Sequence, residues 1–559
     1  MRSLGVKGLR PKNLWPGGGG VRRAVVTVLC SLLVLAALLL PNAVAALRPV
    51  RFLRLPGEAV IGAIVLLAVP RRARTPLAVA GGLGLAALTV LNVLDIGFLQ
   101  YLGRGFNPVL DWELLDDAYG YLRDTLGGSA ALAAVAGTLA GVGALFAVLV
   151  WATVRLAGAL DRHRSRASLG VLVAGTVWVT CAALGLQIGG VPFAADRAAQ
   201  AALSQARRVQ VTLRDEAQFA REAKADAFGA TPPAQLVPDL RGKDVIFAFV
   251  ESYGRSAIED PAIAPGVTAT LDARTEALRR AGFQARSGWL TSATYGGGSW
   301  LGHSTFLSGL WIANQARYRT VTTGDHLTLT KAFRKTGAWR TVGIVPGVRK
   351  GWPEARFYGL DHVYDAHHLG YRGPKFSWST MPDQFALEAF QRLEHGRRHD
   401  KPLMAEVILT SSHQPWAPIP RTVGWDELGD GRIFDGIEKA GLDPEDVIAD
   451  SARSKREYGR SVQYSVTSLT QWLQRYGTDD TVLVFLGDHQ PIARVSGDHA
   501  SRDVPVSVVA RDPKVLAAID DWGWTRGLRP ARTAPVWKMS AFRDRFLRAY
   551  GSVPRPTKD

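Results

Sequence analysis

Asp244–Glu251 reads DVIFAFVE and Thr481–His489 reads TVLVFLGDH. Each is a short, unbroken apolar run that stops at a carboxylate, the pattern of a strand buried on both faces of a parallel sheet. The runs TVGIV (341–345), PLMAEVIL (402–409) and VPVSVVA (504–510) have the same character. Helix-like segments at Asp272–Ala281, Gln384–His395 and Glu457–Tyr476 separate them. Strands alternating with helices predict an α/β domain whose mainly parallel sheet is flanked by helices. Upstream, residues 194–231 are polar, rich in Ala, Arg and Glu and of helical composition, until TPPAQLVPDL (231–240) breaks the pattern. The α/β domain is therefore expected over 238–559, behind a juxtamembrane helix and linker at 191–237.

The first 190 residues are a different material. Val25–Leu40 reads VVTVLCSLLVLAALLL, and apolar stretches recur at Glu58–Val69, Pro76–Leu99, Ala130–Val154 and Leu169–Gly189. That pattern predicts an α-helical membrane domain of about five transmembrane helices over 1–190, the second one short for the roughly 20 residues a bilayer core requires. A cleaved signal peptide ending near Ala43-Val44-Ala45 is the competing reading of the first stretch. Basic residues mark the sides: Arg2, Lys7, Arg10, Lys12, Arg22 and Arg23 precede the first span, Arg71, Arg72 and Arg74 follow the second, and Arg162, Arg164 and Arg166 follow the fourth. The loop after the third carries Asp111, Glu113, Asp116 and Asp117 instead. Positive loops stay in the cytoplasm, so the expected arrangement is multi-pass in the cell membrane, amino terminus cytoplasmic and the α/β domain extracellular. Arg48, Arg51 and Arg54 run the other way.

Of 559 residues, 67 are Lys or Arg and 49 are Asp or Glu, a net charge of +18. The first 190 residues hold 18 basic and 8 acidic side chains, and the remainder 49 and 41. This charge fits membrane topology and anionic headgroups; no basic motif interleaved with aromatics points to nucleic acid. The two cysteines, Cys30 and Cys181, both lie in apolar stretches, so no disulfide framework organises the outer domain.

In α/β sheets reactive groups gather just beyond the carboxyl ends of strands. Glu251 ends one run and Asp488-His489 ends another. Two carboxylates and an imidazole at one sheet edge can converge on a divalent cation, offering hard oxygens and one nitrogen of the sort Mn²⁺, Zn²⁺ or Mg²⁺ accept. An N-cap Asp beside a solvated His is the bland alternative. Between these runs lies TSATYGGGSWLGHSTFLSG, residues 291–309. Gly296, Gly297 and Gly298 permit a tight turn, and Ser299 follows at an expected helix start, where free amides favour an anion. A hydroxyl there, next to a cation, becomes a nucleophile without a His base. Thr294, five residues earlier, is the alternative nucleophile, and a Gly-rich turn with Ser as a plain N-cap is the alternative to both.

ESYG at Glu251, GGGSWLGHSTFLSG around Ser299, SSHQPW around His413 and GDHQP at Asp488 stand in the order and approximate spacing of a known group. The chain resembles the membrane-bound sulfatase-like proteins of the alkaline phosphatase superfamily, which include lipoteichoic acid synthases and other phosphoglycerol transferases. The resemblance implies that Glu251, Asp488 and His489 are metal ligands. It makes Ser299, in place of the family's Thr, both ligand and nucleophile, and sets His413 on the substrate phosphate. His499, ten residues beyond His489, is an additional ligand, a phosphate contact or a solvated loop residue; His303 stands where relatives often have Glu, on the turn after the nucleophile, and is either a residue behind the ligands or exposed at the surface. Trp352 and Arg356 are expected to grip an anionic headgroup. The family's Trp-x-Arg is here stretched, with Arg356 four residues after Trp352, and Val345 replaces the His before Pro346. Sulfate-ester chemistry through formylglycine is not implied, since Ser299 is followed by Trp-Leu-Gly-His rather than x-Pro-x-Arg.

The leading expectation is a membrane-anchored, metal-dependent transferase. It would take a phospho-alcohol headgroup from a membrane phospholipid, through a Ser-linked phospho-enzyme, and pass it to an extracellular glycan or lipid acceptor. A phosphodiesterase or sulfatase-like hydrolase with water as acceptor uses the same residues, and a non-catalytic scaffold with a degenerate site is the reading from another class. Transport is disfavoured, because Glu58 and Asp95 are the only acidic residues near the spans.

Overall fold

A computed structural model of the chain describes residues 18–102, 104–112, 118–119, 122–123, 127–349 and 351–552. The amino-terminal Arg2, Lys7, Arg10 and Lys12 and the loop residues Glu113, Asp116 and Asp117 lie outside the described residues. The chain divides into two units, one of residues 1–100 and 104–212, the other of residues 101–103 and 213–559.

The first unit contains α1 (Gly18–Leu39), α2 (Gly57–Ala68), α3 (Arg71–Leu102), α4 (Gly128–Arg162) and α5 (Arg164–Ala183). All but α2 are long and apolar enough to cross a membrane. With 12 residues, α2 reaches only about 18 Å at the rise of an α-helix, against a hydrocarbon core of about 30 Å. Leu29, Leu132, Leu139 and Leu172 stand exposed, as expected of surfaces solvated by acyl chains rather than water. Asp95 is buried: Arg208 pairs with it at 2.9 Å and the Phe106 amide donates to it at 2.8 Å. Glu58 accepts from the Ala199 amide in the first turn of α6 (Arg197–Glu222), the helix expected within 194–231.

The second unit is built on a nine-stranded sheet. Its main strands are β1 (Asp244–Val250), β2 (Gln284–Thr291), β3 (Arg340–Val345), β4 (His362–Asp365), β5 (Leu403–Leu409), β6 (Thr481–Gly487) and β7 (Asp503–Ala510), with the short β8 (Thr525–Arg526) and β9 (Val536–Lys538). The order is β8-β2-β7-β6-β1-β5-β3-β4, and β9 pairs with β2. From β6 to β4 every pairing is parallel. The run VPVSVVA is a buried strand, as read, but β7 runs antiparallel to both neighbours. A strand buried on both faces gives the same unbroken apolar run in either direction, so composition does not report its polarity.

Helices cover both faces. On one lie α7 (Ala264–Arg280), α9 (Asp383–Phe390) and α10 (Ser451–Tyr476), packed through Leu271, Phe385, Val462 and Trp472. On the other lie α8 (Ser299–Ser308) and α11 (Phe542–Ala549), packed through Phe306, Leu307 and Phe546. The membrane-helix and α/β classes expected from sequence are those observed. What matters for chemistry is register: Gly487, Val250 and Leu409 are level across β6, β1 and β5. The residues after them, Asp488-His489, Glu251 and Thr410–His413, therefore emerge side by side at one edge.

Candidate active site

Glycine fixes how these strand ends meet. A Cβ on Gly487 would stand 1.8 Å from the Tyr253 carbonyl oxygen, and one on Gly254 would meet the Gln490 side chain at 1.9 Å. The ESYG and GDHQ segments thus interlock at a distance closed to any side chain. Ser252, at φ 54°, donates its amide to Asp488 Oδ1 at 2.7 Å and its hydroxyl to Glu251 Oε1 at 3.0 Å. The His489 amide also donates to Asp488 Oδ1, at 2.7 Å.

The Gly-rich turn delivers the hydroxyl. Gly296, Gly297 and Gly298 adopt φ of 71°, 155° and 75°, conformations that side chains oppose. Gly298 is the residue before α8, and Ser299 is the helix's first residue. Ser299 Oγ donates to Glu251 Oε2 at 2.9 Å and lies 3.2 Å from His489 Nε2, which is itself 3.2 Å from Glu251 Oε1. Glu251, Asp488 and His489 each offer a ligand atom within 4.8 Å of the others, all three buried. His489 Nδ1 faces the Gln490 carbonyl at 2.8 Å; an Nδ1–H donating there leaves Nε2 as the nitrogen able to ligate a cation at the cluster.

Electrostatics mark the cluster as a cation site. Burial pushes the Glu251 carboxyl up, but His489 and, less strongly, His413 and Ser299 pull it well below the usual carboxylate range. Burial pushes the His489 imidazole down, and Asp488 and Glu251 together lift it to about 9. Among the described residues neither Glu251 nor Asp488 ion-pairs with a Lys or Arg; the nitrogens nearest their oxygens are those of the His489 and His303 imidazoles. Two buried carboxylates that share only imidazoles fit a divalent cation, which supplies the missing positive charge.

Of the remaining sequence expectations, His413 is at the same edge: its ring stacks on Trp378 at 3.9 Å and 13°, and Ser412 donates to the Glu251 carbonyl at 2.5 Å. Asp383, at the start of α9, holds this loop by accepting the Thr410 and Ser411 amides at 2.7 and 3.0 Å. Trp352 packs half-buried on Tyr358, 5.0 Å between rings, and Tyr358 bonds Ser304 of α8. Arg356 is exposed on the helical turn Ala355–Tyr358. Thr294 gives its hydroxyl proton to the Gly297 carbonyl and so braces the turn. His499 is exposed, at φ 66°, and outside the ligand cluster. His303 is buried 3.5 Å from Asp488 Oδ2.

No family model and no curated protein matches the chain. Solved structures do. The lipoteichoic acid synthase LtaP from Listeria monocytogenes is 15% identical over 52% of this chain and 71% of that one, with a TM-score of 0.35. The Streptococcus pyogenes phosphoglycerol transferase GacH is 12% identical over 58% and 78%, with a TM-score of 0.36. The zinc complex of the C-terminal periplasmic domain of EptC from Escherichia coli is 13% identical over 56% and 83%, with a TM-score of 0.35. This chain is similar to alkaline phosphatase superfamily structures.

Three contributors escaped the sequence reading: Ser252, Trp378 and Glu406. Glu406 was visible as a lone charge inside PLMAEVIL. It is fully buried on β5 with neither oxygen hydrogen-bonded, and burial lifts it to about 7 despite the opposing pull of His303. An acid raised above its ordinary 4.5 keeps its proton in the folded state after the unfolded state has lost it. Stability then falls as pH rises from 4.5 to about 7, by up to about 3 kcal/mol, and levels off above. Glu406→Gln is expected to flatten that part of the profile. Thermal unfolding of both proteins in detergent between pH 5 and 8 checks it; parallel profiles would show that Glu406 does not carry the effect.

Proposed function

We propose that this chain is a membrane-anchored, divalent-metal-dependent phosphoryl transferase, and the observation that carries the reading is Ser299 Oγ at a helix N-terminus in contact with both Glu251 and His489. The α/β domain, 238–559, is the catalytic part; 191–237 is linker; the apolar helices of 1–190 anchor it, with the amino terminus cytoplasmic and the catalytic domain extracellular. The donor is a membrane phospholipid and the acceptor an extracellular glycan or lipid; nucleic acid is no partner. Glu251, Asp488, His489 and Ser299 would hold the cation, Mn²⁺ ahead of Zn²⁺ or Mg²⁺, and a bound cation supplies a Lewis acid that lowers the pKa of a nearby hydroxyl and offsets charge on phosphoryl oxygens.

Ser299 Oγ attacks the donor phosphorus, the Oγ–P bond forms as the bond to the lipid alcohol breaks, and the serine proton ends on the departing alcohol. An acceptor hydroxyl then attacks the same phosphorus, the Oγ–P bond breaks as the new O–P bond forms, and the acceptor's proton returns to Ser299 Oγ. His413 binds the phosphoryl oxygens, and Trp352 and Arg356 hold the headgroup. Water in place of the acceptor makes the same site a phosphodiesterase.

Incubating the full chain in detergent with Mn²⁺ and phospholipids of different headgroups, then mapping adducts by peptide mass, tests the reading. A phospho-alcohol adduct is expected on Ser299, and its mass names the headgroup. Rapid release of headgroup with no trapped adduct favours the hydrolase; neither adduct nor release from any phospholipid sinks the proposal.

A further inference from the structure

At and behind the ligand cluster lies a set of buried polar atoms without a hydrogen-bond partner. Asp488 Oδ1 is saturated by two backbone amides. Asp488 Oδ2 is fully buried without a hydrogen bond, and so is His303 Nε2, 3.5 Å away. Glu406 adds two more unbonded oxygens, and its carboxyl group lies near enough to feel the His303 imidazole. Buried polar atoms are nearly always paired, so orphans facing one another call for a cause.

Placement supplies it. His303 follows Ser299 by four residues on α8, so both look out from one helix face: Ser299 toward Glu251 and His489, His303 toward Asp488. The imidazole is clamped by Phe249, with ring centroids 4.2 Å apart. Glu406 is level with Phe247 on the neighbouring strand, two residues inward from Phe249 along β1. Its side chain therefore emerges on the same face of the sheet, beneath His303. At a position where an aliphatic residue would pack against Phe306 and Leu307, the sequence spends an imidazole.

We propose that His303 is a positioning residue of the cation site: its Nε2–H, backed by the Glu406 carboxyl group, bonds Asp488 Oδ2 and fixes the orientation of that ligand. Bonds of this kind are often long before a site is loaded, and partners behind a metal ligand govern affinity by fixing its orientation. This inference rests on the cation reading of Glu251, Asp488 and His489.

The test is titration calorimetry of the full chain in detergent with MnCl₂ alone. Wild type is measured first, since absence of saturable binding there defeats the cation reading itself, before His303 is in question. Given binding, His303→Met, which fills the space but donates nothing, is expected to weaken Mn²⁺ binding by about 10-fold or more, while His303→Gln, whose amide can donate, stays within about three-fold of wild type. Glu406→Gln is expected to weaken binding in the wild-type background and to change nothing further in His303→Met. Wild-type affinity in His303→Met, or equal loss in His303→Met and His303→Gln, overturns the proposal, the latter because packing alone would then explain it. Circular dichroism of each variant confirms that folded protein was titrated, and His303→Gln against wild type carries the test if His303→Met does not fold: a loss there beyond about ten-fold overturns it.

Discussion

Ser299→Ala lowers turnover by at least about 10³-fold, the scale on which enzymes lose rate when a covalent nucleophile is removed. The adduct disappears with it, while the domain keeps its fold. The reason for the second half is local. Ser299 is the first residue of its helix, its hydroxyl caps nothing, and the residue before it is Gly298 with no side-chain cap. Its Oγ bonds only into the ligand cluster, to Glu251 and His489. The substitution therefore removes one neutral oxygen and leaves the two carboxylates and the imidazole in place. Mn²⁺ binding should weaken far less than in Asp488→Asn, which takes a charge out of the cluster. Thr294→Ala is the paired control. Its hydroxyl braces the Gly297 carbonyl, so its loss lets the turn sag and slows the reaction, but the adduct still maps to Ser299. Turnover of Ser299→Ala within tenfold of wild type, or an adduct on Thr294, would remove Ser299 from its role.

How far the sequence went is clearest at the strand ends. DVIFAFVE and TVLVFLGDH could be read as buried strands because burial on both faces leaves a continuous apolar run. Their pairing puts Glu251 and Asp488-His489 level at one edge. Strand β2 was missed: QARSGWLT mixes Arg286 and Gly288 with apolar residues, because it lies near the sheet margin between β7 and the two-residue β8. The second membrane stretch showed its weakness in its length, and α2 is a helix of 12 residues. Glu406 and His303 were legible as residues but not as a pair. Their nearness depends on the register of β5 against β1 and on which face α8 presents, and no local pattern encodes either. Gly-rich turns read well by contrast, since left-handed backbone is a local demand that composition reports directly.

Gly302→Ala is the second change expected to act strongly, through a contact that no neighbour in sequence announces. Gly302 is one turn into α8, where alanine is normally the better helix former by about 1 kcal/mol. Here the preference reverses. A Cβ on Gly302 would stand 2.7 Å from the Asp488 carbonyl oxygen and 3.6 Å from its Cα. The obstacle is backbone at the end of a central strand, with no side chain to swing away, so α8 itself has to lift. Restoring ordinary contact requires a shift of roughly half an ångström or more, and overpacking of this kind costs about 1–3 kcal/mol. The same movement withdraws Ser299, whose 2.9 and 3.2 Å approaches to Glu251 and His489 define the site. A displacement near 1 Å at a reacting group is worth about 10²-fold in rate. Gly302→Ala is thus expected to lower turnover by about that factor and to reduce thermal stability as well. Gly158→Ala, on a membrane helix where the nearest atom to a new Cβ is the end of a flexible side chain 3.7 Å away, is expected to do neither. Steady-state kinetics and thermal unfolding of the two variants decide it. Unchanged turnover in Gly302→Ala would mean that the nucleophile's helix is free to move without consequence, and the close seat of α8 on the Asp488 strand end would lose its place in the chemistry.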